Sequence, residues 1–214
     1  MPMRRLALAL VALLAAAAAA GETLKTLSYS CPGAGLTAIA VKAGIGDVEV
    51  LGAAGSEVVV SVDLTRRGGG FFGDRQTART AEGIEIEPRL AGGELTLRLK
   101  PEHRGDAHLS ERWTVRVPAA LAATVKLGVG NVSVLDTSGD VKVQVGVGDI
   151  RIEGPFASFG EIRAASGVGD VTLRTPEGRT EGTGFIGHTL SGHGPGKGTV
   201  HADAGVGDVT IRLR

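Results

Sequence analysis

The sequence of 214 residues contains 23 basic and 23 acidic side chains, so its formal net charge is 0. Removal of the first 20 residues would remove two of the 23 basic groups and no acid, leaving a net charge of −2. This balance excludes a basic nucleic-acid footprint and an acidic tail. There are 34 Gly but only five Phe, one Trp and one Tyr, so aromatic platforms for stacking bases or sugars are scarce.

The N-terminus has the composition of an export signal. Arg4 and Arg5 precede an apolar run from Leu6 to Ala20 that ends in small residues suited to cleavage. The run has 15 residues, fewer than the roughly 18–20 that a spanning helix needs, although an uncleaved membrane anchor is the alternative. We predict a signal peptide at 1–20 and one mature β-repeat domain at 21–214 without an integral membrane segment, placed in the periplasm, on the cell surface or outside the cell.

The single cysteine, Cys31, cannot form an internal disulfide. It also lies too far beyond the apolar run to be a lipoprotein cysteine. We predict that it is a small buried hydrophobe, with pairing to another chain as the alternative.

The first half of the mature chain predicts short strands and no helix. Leu90–Glu94, with Gly92 and Gly93 at its centre, predicts a hairpin loop. The segments 66–80 and 101–111 are predicted loops, and Ala119–Ala123 is a predicted turn between strands. The predicted strands are Thr23–Ser30, Thr37–Lys42, Glu57–Thr65, Gly83–Pro88, Glu94–Lys100 and Arg112–Val117.

A seven-residue pattern, Gly-x-Gly-Asp or Gly-x-Gly-Asn followed by apolar-x-apolar, occurs five times. Its glycines permit positive φ or close backbone approach, and Asp or Asn can bond its own backbone two residues on, which fixes a turn. Each copy therefore predicts a corner followed by a strand. The copies are Gly44–Val50, Gly128–Val134, Gly146–Ile152, Gly167–Leu173 and Gly205–Ile211. The structural corner residues are Gly46, Asp47, Gly130, Asn131, Gly148, Asp149, Gly169, Asp170, Gly207 and Asp208.

The strand that follows each corner has one apolar face. The apolar residue between the two glycines breaks this alternation, as a bend requires. Predicted to point inward are Val48, Val50, Val132, Val134, Ile150, Ile152, Val171, Leu173, Val209 and Ile211. Predicted to point outward are Glu49, Ser133, Arg151, Thr172 and Thr210.

The spacing of the copies predicts coils of about 20 residues. Successive copies are offset by 84, 18, 21 and 38 residues, so the last interval would contain a coil without the motif. Parallel coils without helices predict an all-β parallel β-solenoid, or β-helix, with a less regular, hairpin-containing N-terminal half. A β-sandwich is the alternative. The final strand, Val209–Leu213, would then be an open edge blunted by Arg212 and Arg214.

The repeated unit, with the segment Trp113–Pro118 and the strand Ala123–Leu127, resembles the bacterial putative adhesin family of β-strand-repeat proteins, which is related to auto-transporter adhesin head-like domains. The resemblance covers about 37–214 and is strongest over 112–214. It implies a right-handed β-solenoid at the cell envelope with an adhesin-like role. It supplies no catalytic residues.

Two sets of residues are candidates for a metal site, although no metal or other cofactor is predicted. The corner aspartates resemble those of calcium-binding solenoids, but one Asp per coil is too few for the 6–8 oxygen ligands that calcium takes. The spacings of the three histidines match neither a helix face nor the short pairs of zinc sites. Turn capping and solvated loop positions are therefore favoured. The candidates are Asp149, Asp170, Asp208, His188, His193 and His201.

No motif of the sequence predicts an enzyme. Residues 182–187 match Gly-x-Gly-x-x-Gly, but the glycines and Pro195 that follow exclude the helix of a dinucleotide site. No Gly-x-Ser-x-Gly is present, and the outward repeat positions contain no dense acid pair. We predict a non-enzymatic binding, adhesion or scaffold module that contacts an envelope protein, another copy or a glycan along a ribbed face. The alternatives are a carbohydrate-active β-helix enzyme and a metal-dependent binding module; no nucleic-acid partner is expected.

Overall fold

The computed structural model describes residues 22–67, 74–101, 109–184 and 187–214. The predicted signal peptide at 1–20 lies outside these ranges. Within them the chain is all-β apart from one short helix, α1 (Asp74–Glu82), and a 3₁₀ turn at Phe156–Ser158. The strands are β1 (Thr23–Pro32), β2 (Ala38–Ala53), β3 (Glu57–Arg66), β4 (Glu85–Ala91), β5 (Glu94–Lys100), β6 (Leu109–Pro118), β7 (Ala122–Val129), β8 (Val132–Leu135), β9 (Val141–Val147), β10 (Ile150–Gly154), β11 (Phe159–Val168), β12 (Val171–Thr175), β13 (Gly178–Glu181), β14 (His188–His193), β15 (Gly198–Val206) and β16 (Val209–Leu213).

The strands form one mixed sheet that folds into two layers, and β2 belongs to both. The strand bends within its Gly-x-Gly-Asp motif: Ala38–Ile45 pairs with β5 and β7, whereas Gly46–Ala53 pairs with β6 and β8. The first layer has the order β1-β3-β6-β2-β8-β10-β16-β12-β13, and the second has the order β4-β5-β2-β7-β9-β15-β11-β14. We call each unit of a second-layer strand, a corner and a first-layer strand a coil.

The core lies between the two layers. All ten residues predicted to point inward after the corners are at most 4% exposed, and Trp113, Val115 and Val117 of β6 are 0% exposed. Of the residues predicted to point outward, Glu49 and Arg151 are exposed and the other three are half-buried. Each buried aliphatic side chain contributes about 1.5–3 kcal/mol relative to an exposed one, so the alternation of the repeats stabilises both layers. Cys31 is half-buried and packs against the edge of this core.

The coils do not stack in the order of the sequence. This corrects the expectation from the repeat spacing that each coil lies next to the one before it in the chain. The stack begins with the strands β5 and β6, and the coils β2, β7/β8, β9/β10, β15/β16 and β11/β12 follow, with parallel pairing throughout. The last coil of the chain is therefore inserted between two earlier ones. Consequently β16 is not the predicted open edge, because it pairs with β10 on one side and β12 on the other.

The segment between the fourth and fifth motifs is not a coil that lacks the motif. It forms β13, which turns back antiparallel onto β12, and β14, which lies antiparallel on β11. Together these strands cover the end of the stack. At the other end β3 and β4 lie antiparallel to β6 and β5, and β1 lies antiparallel to β3.

These antiparallel ends make the sheet mixed, so the prediction of an all-β protein is confirmed, but that of a parallel β-solenoid is not. The parallel pairs at the centre also differ from those of an antiparallel sandwich. The right-handed sense of the path stays a prediction.

The first half differs from prediction in one helix and in the start of one strand. The predicted loop over 101–111 ends earlier, because β6 begins at Leu109, and residues 102–108 lie outside the described ranges. The expected loop over 66–80 contains the start of α1, while residues 68–73 lie outside the described ranges. The predicted hairpin loop is confirmed, because Gly92 and Gly93 join β4 and β5 with φ of 58° and 83°, the positive values of a type I′ turn. In the described part of the chain, no helix is long and apolar enough to cross a membrane.

The edge strand β4 carries Pro88 and a charged pair, two features that discourage pairing with another chain. The guanidinium of Arg98 donates to the carboxylate of Glu87 and holds the pKa of Glu87 below its ordinary value; Arg89 acts in the same direction.

Candidate functional site

The five corners lie above one another at the edge where the two layers meet. Their second glycines have φ between 130° and 139°, a range that side chains rarely adopt. An added Cβ would also lie against the neighbouring corner: 1.6 Å from the Gly46 carbonyl oxygen at Gly130, 1.9 Å from that of Gly130 at Gly148, 2.2 Å from that of Gly148 at Gly207 and 2.2 Å from that of Gly207 at Gly169. Only glycine fits these positions.

The Asp and Asn side chains connect neighbouring corners. In four of the five corners the Oδ1 accepts a hydrogen bond from the backbone N–H of the Asp or Asn one coil further along the stack, whereas the sequence suggested a bond within the residue's own turn. The bonds run from Asn131 to Asp47 (3.1 Å), from Asp149 to Asn131 (3.0 Å), from Asp208 to Asp149 (2.8 Å) and from Asp170 to Asp208 (2.8 Å). We call this line of side chains the acidic row.

The structure does not gather the six metal candidates into one cluster. His188 Nδ1 lies 2.7 Å from the Gly169 carbonyl oxygen, to which it donates as the Nδ1–H tautomer, and 3.8 Å from Asp170 Oδ1. His201 Nε2 contacts Asp203 Oδ2 at 2.9 Å on β15, while His193 lies opposite Glu161 at the end of β14. Among the described residues, no group of three or more His, Cys, Asp and Glu is positioned to hold a metal ion.

The residue between the two glycines of each motif is apolar and points to solvent. Val129, Val147, Val168 and Val206 are 40–60% exposed, and Ile45 is half-buried. Ladder pairing places them side by side in the order Ile45, Val129, Val147, Val206, Val168. At about 4.8 Å per strand, this corner ridge is about 19 Å long. The sequence analysis placed these residues at a bend and did not predict the ridge. The signal that could have predicted it is an apolar residue in every copy at the one position that breaks the alternation of apolar and polar residues.

A shallow groove of about 640 Å³ follows the second-layer side of the ridge. Its floor contains the first glycines of three motifs, Gly128, Gly146 and Gly205, which lie side by side on adjacent strands and lack side chains. On the side away from the ridge, the groove is lined by Lys42, Lys126, Gln144 and Asp203. Lys42 and Lys126 lie directly opposite each other on β2 and β7.

The ridge is thus an apolar line with charged side chains on both sides. The acidic row follows it on the first layer, and the groove with its lysines follows it on the second. Such an arrangement can bury apolar surface along an extended contact and orient the partner by charge.

No protein-family model matches this sequence, and no curated protein matches it. The chain is similar to the solved structure of a putative cell adhesion protein from Clostridium sporogenes, at 17% identity and a TM-score of 0.49, over 89% of this chain and 99% of that one. It is also similar to a putative adhesin from Bacteroides fragilis (10% identity, TM-score 0.26, 89% and 97% of the two chains). A putative lipid binding protein from Parabacteroides distasonis matches at 8% identity and a TM-score of 0.25, over 88% and 97% of the two chains. The family resemblance of the sequence therefore remains a resemblance.

Proposed function

We propose that this chain is an exported, non-enzymatic binding module that attaches another protein of the bacterial cell envelope along the corner ridge. The observation that carries the proposal is the alignment of four exposed valines and Ile45 on adjacent strands. Soluble proteins expose single apolar residues routinely, but contiguous apolar surface rimmed by polar groups is typical of interaction sites.

A protein partner fits this surface better than a glycan does. Protein interfaces have an apolar centre and a polar rim, which is the arrangement of the ridge between the acidic row and the lysines of the groove. Among the described residues, no aromatic side chain lies in the ridge or lines the groove to stack on a sugar ring. A line of five side chains covers less than the roughly 800 Å² that each partner buries in a standard interface, so the partner would also contact the groove, in a weak or transient complex.

The test is a crosslinking pull-down of the tagged, exported chain from its own cell envelope, read by mass spectrometry. The ridge variant combines Val129→Thr, Val147→Thr and Val206→Thr, which retain the β-branched shape on exposed positions. The matched control is Val59→Thr, because Val59 is 43% exposed on β3 but lies away from the ridge.

We expect the wild type and the Val59→Thr control to capture the same envelope protein, and the ridge variant to capture at least about fivefold less of it at an unchanged urea unfolding midpoint. Equal capture by all three chains would overturn the proposal. Recovery of only the chain itself, only glycan or nothing would overturn it as well, and the last result would justify a polysaccharide substrate screen for the enzyme alternative.

A further inference from the structure

A second surface lies on the outer face of the first layer, where four strands bring arginines together. The carboxylate of Glu153 on β10 accepts from Arg151 Nε at 3.0 Å and from Arg212 Nη1 of β16 at 3.5 Å. Its other oxygen lies 3.6 Å from Arg214 Nη2, which also contacts Asp136 Oδ1 at 3.2 Å. The side chain of Glu153 is only 11% exposed, whereas the three arginine side chains are 45–64% exposed.

The cationic groups exceed the acids at this place. Arg174 on β12 lies directly opposite Arg212 in the parallel ladder and directly opposite Arg179 in the antiparallel one. Arg179 pairs with Glu181 at 2.8 Å, whereas Arg174 forms no ion pair with any of the described residues. Because like charges directly opposite each other destabilise a sheet, the row Arg212, Arg174, Arg179 has a cost that a bound anion would remove.

Hydroxyl groups form a second row beside the arginines. Thr210 and Thr172 precede Arg212 and Arg174 by two residues on their strands, so they lie on the same outer face. Both threonines are half-buried and lie opposite each other in the ladder. One row of the surface thus holds Arg212 and Arg174 beside Glu153. The next row holds Thr210 and Thr172, between Arg151 on β10 and Glu181 on β13.

We propose that this arginine surface binds an acidic glycan, a chain of sugars that carries carboxylate groups, laid across β10, β16 and β12. Guanidinium forks match carboxylates in a bidentate geometry, and the threonine row would bond sugar hydroxyls. Glu153 is a positioning residue that fixes Arg151 and Arg212 from below. This site lies on a different face from the corner ridge, so the inference goes beyond the proposed function and does not depend on it.

Other polyanions fit this surface less well. Single-stranded nucleic acid binds by base stacking on aromatic side chains, and none lies among the residues of the two rows. The acidic row crosses the same strands four residues before the arginines, for example Asp170 before Arg174, and would repel a wide polyanion. An acidic peptide would use the arginines but would leave the threonine row without a partner.

The test is isothermal titration calorimetry, which measures the affinity of the exported chain for oligogalacturonate. Neutral dextran, oligoglutamate and single-stranded DNA are titrated for comparison. The site variant is Arg174→Gln/Arg212→Gln. The charge-matched control is Arg89→Gln/Arg163→Gln, since both residues are exposed, lie on the second layer and pair with nearby glutamates. Each variant is first checked for an unchanged unfolding midpoint.

We expect oligogalacturonate to bind, dextran not to bind, and the site variant to lose at least tenfold in affinity while the control loses less than threefold. The ridge variant should bind like the wild type, so that failure here and failure of the ridge proposal can be told apart. Equal loss in the control, no binding of oligogalacturonate, or equally tight binding of oligoglutamate or DNA through the same arginines would overturn the proposal.

Discussion

At the scale of single residues, the corner glycines set how closely the coils approach each other. The backbone of Gly148 leaves only 1.9 Å between an added Cβ and the Gly130 carbonyl oxygen. Gly130 lies between the paired strands β7 and β8. Its carbonyl oxygen therefore cannot move aside as the end of a flexible side chain could. Gly92 in the hairpin also has positive φ, but nothing lies within 4 Å of its added Cβ. Substitutions at Gly148 and Gly92 can therefore be compared to separate the cost of crowding from the cost of backbone strain.

We expect Gly92→Ala to lower the free energy of unfolding by about 1–2 kcal/mol, the cost of a left-handed conformation for a residue with a Cβ. Gly148→Ala should cost more than about 4 kcal/mol, because the added methyl also overlaps the adjacent coil. Urea unfolding at constant m-value measures both changes. Equal losses at the two positions would show that the corners are not as tightly stacked as described.

At the scale of elements, the position of a strand in the stack differs from its position in the chain. The strand β16 is the last of the chain but lies inside the first layer, where β10 and β12 bond both of its edges. By contrast, β12 is the one described strand that pairs with β13, and all four residues of β13 are exposed. Amide exchange follows local opening, so these two strands should differ strongly although both lie in the last third of the chain.

We expect the amides of Val209–Leu213 to exchange as slowly as those of β10, and the amides of β13 to exchange at least about a hundredfold faster. Hydrogen exchange read residue by residue by NMR provides the measurement, with β10 as the internal standard. Fast exchange across β16 would contradict its inserted position and favour the terminal edge that the sequence suggested.

At the scale of the whole molecule, the two layers share one continuous core. The strand β2 passes from one layer to the other, so both layers are linked covalently as well as by packing. Stacked repeats can nevertheless unfold from one end, because each coil contacts only its neighbours. Here both ends are covered by antiparallel strands, which removes the open coil at which such unfolding would begin.

We therefore expect one cooperative unfolding transition. Trp113, the only tryptophan, is 0% exposed on β6 near one end of the stack, whereas far-UV circular dichroism reports on all strands. The urea midpoints from tryptophan fluorescence and from circular dichroism should coincide. Separate midpoints would show that the two ends unfold independently and would contradict the prediction of one domain over 21–214.

The sequence by itself determined the local features of this protein. The alternation of apolar and polar residues predicted which face of each strand is buried, since successive side chains of a strand point to opposite faces of the sheet. The pair Gly92–Gly93 specified the hairpin loop because few residue types accept two successive positive φ values. The helix α1 was not predicted, because it has only nine residues and directly follows the glycine-rich stretch 68–73 of the sequence.

Only the tertiary structure decided the order of the coils and the two candidate surfaces. The copies of the repeat have nearly the same apolar side chains, so the repeat by itself does not specify which copies are neighbours in the stack. The corner ridge exists only when the copies are in register. The arginine surface combines Arg151, Arg174, Arg212 and Arg214, which meet because the last coil of the chain inserts between two earlier ones.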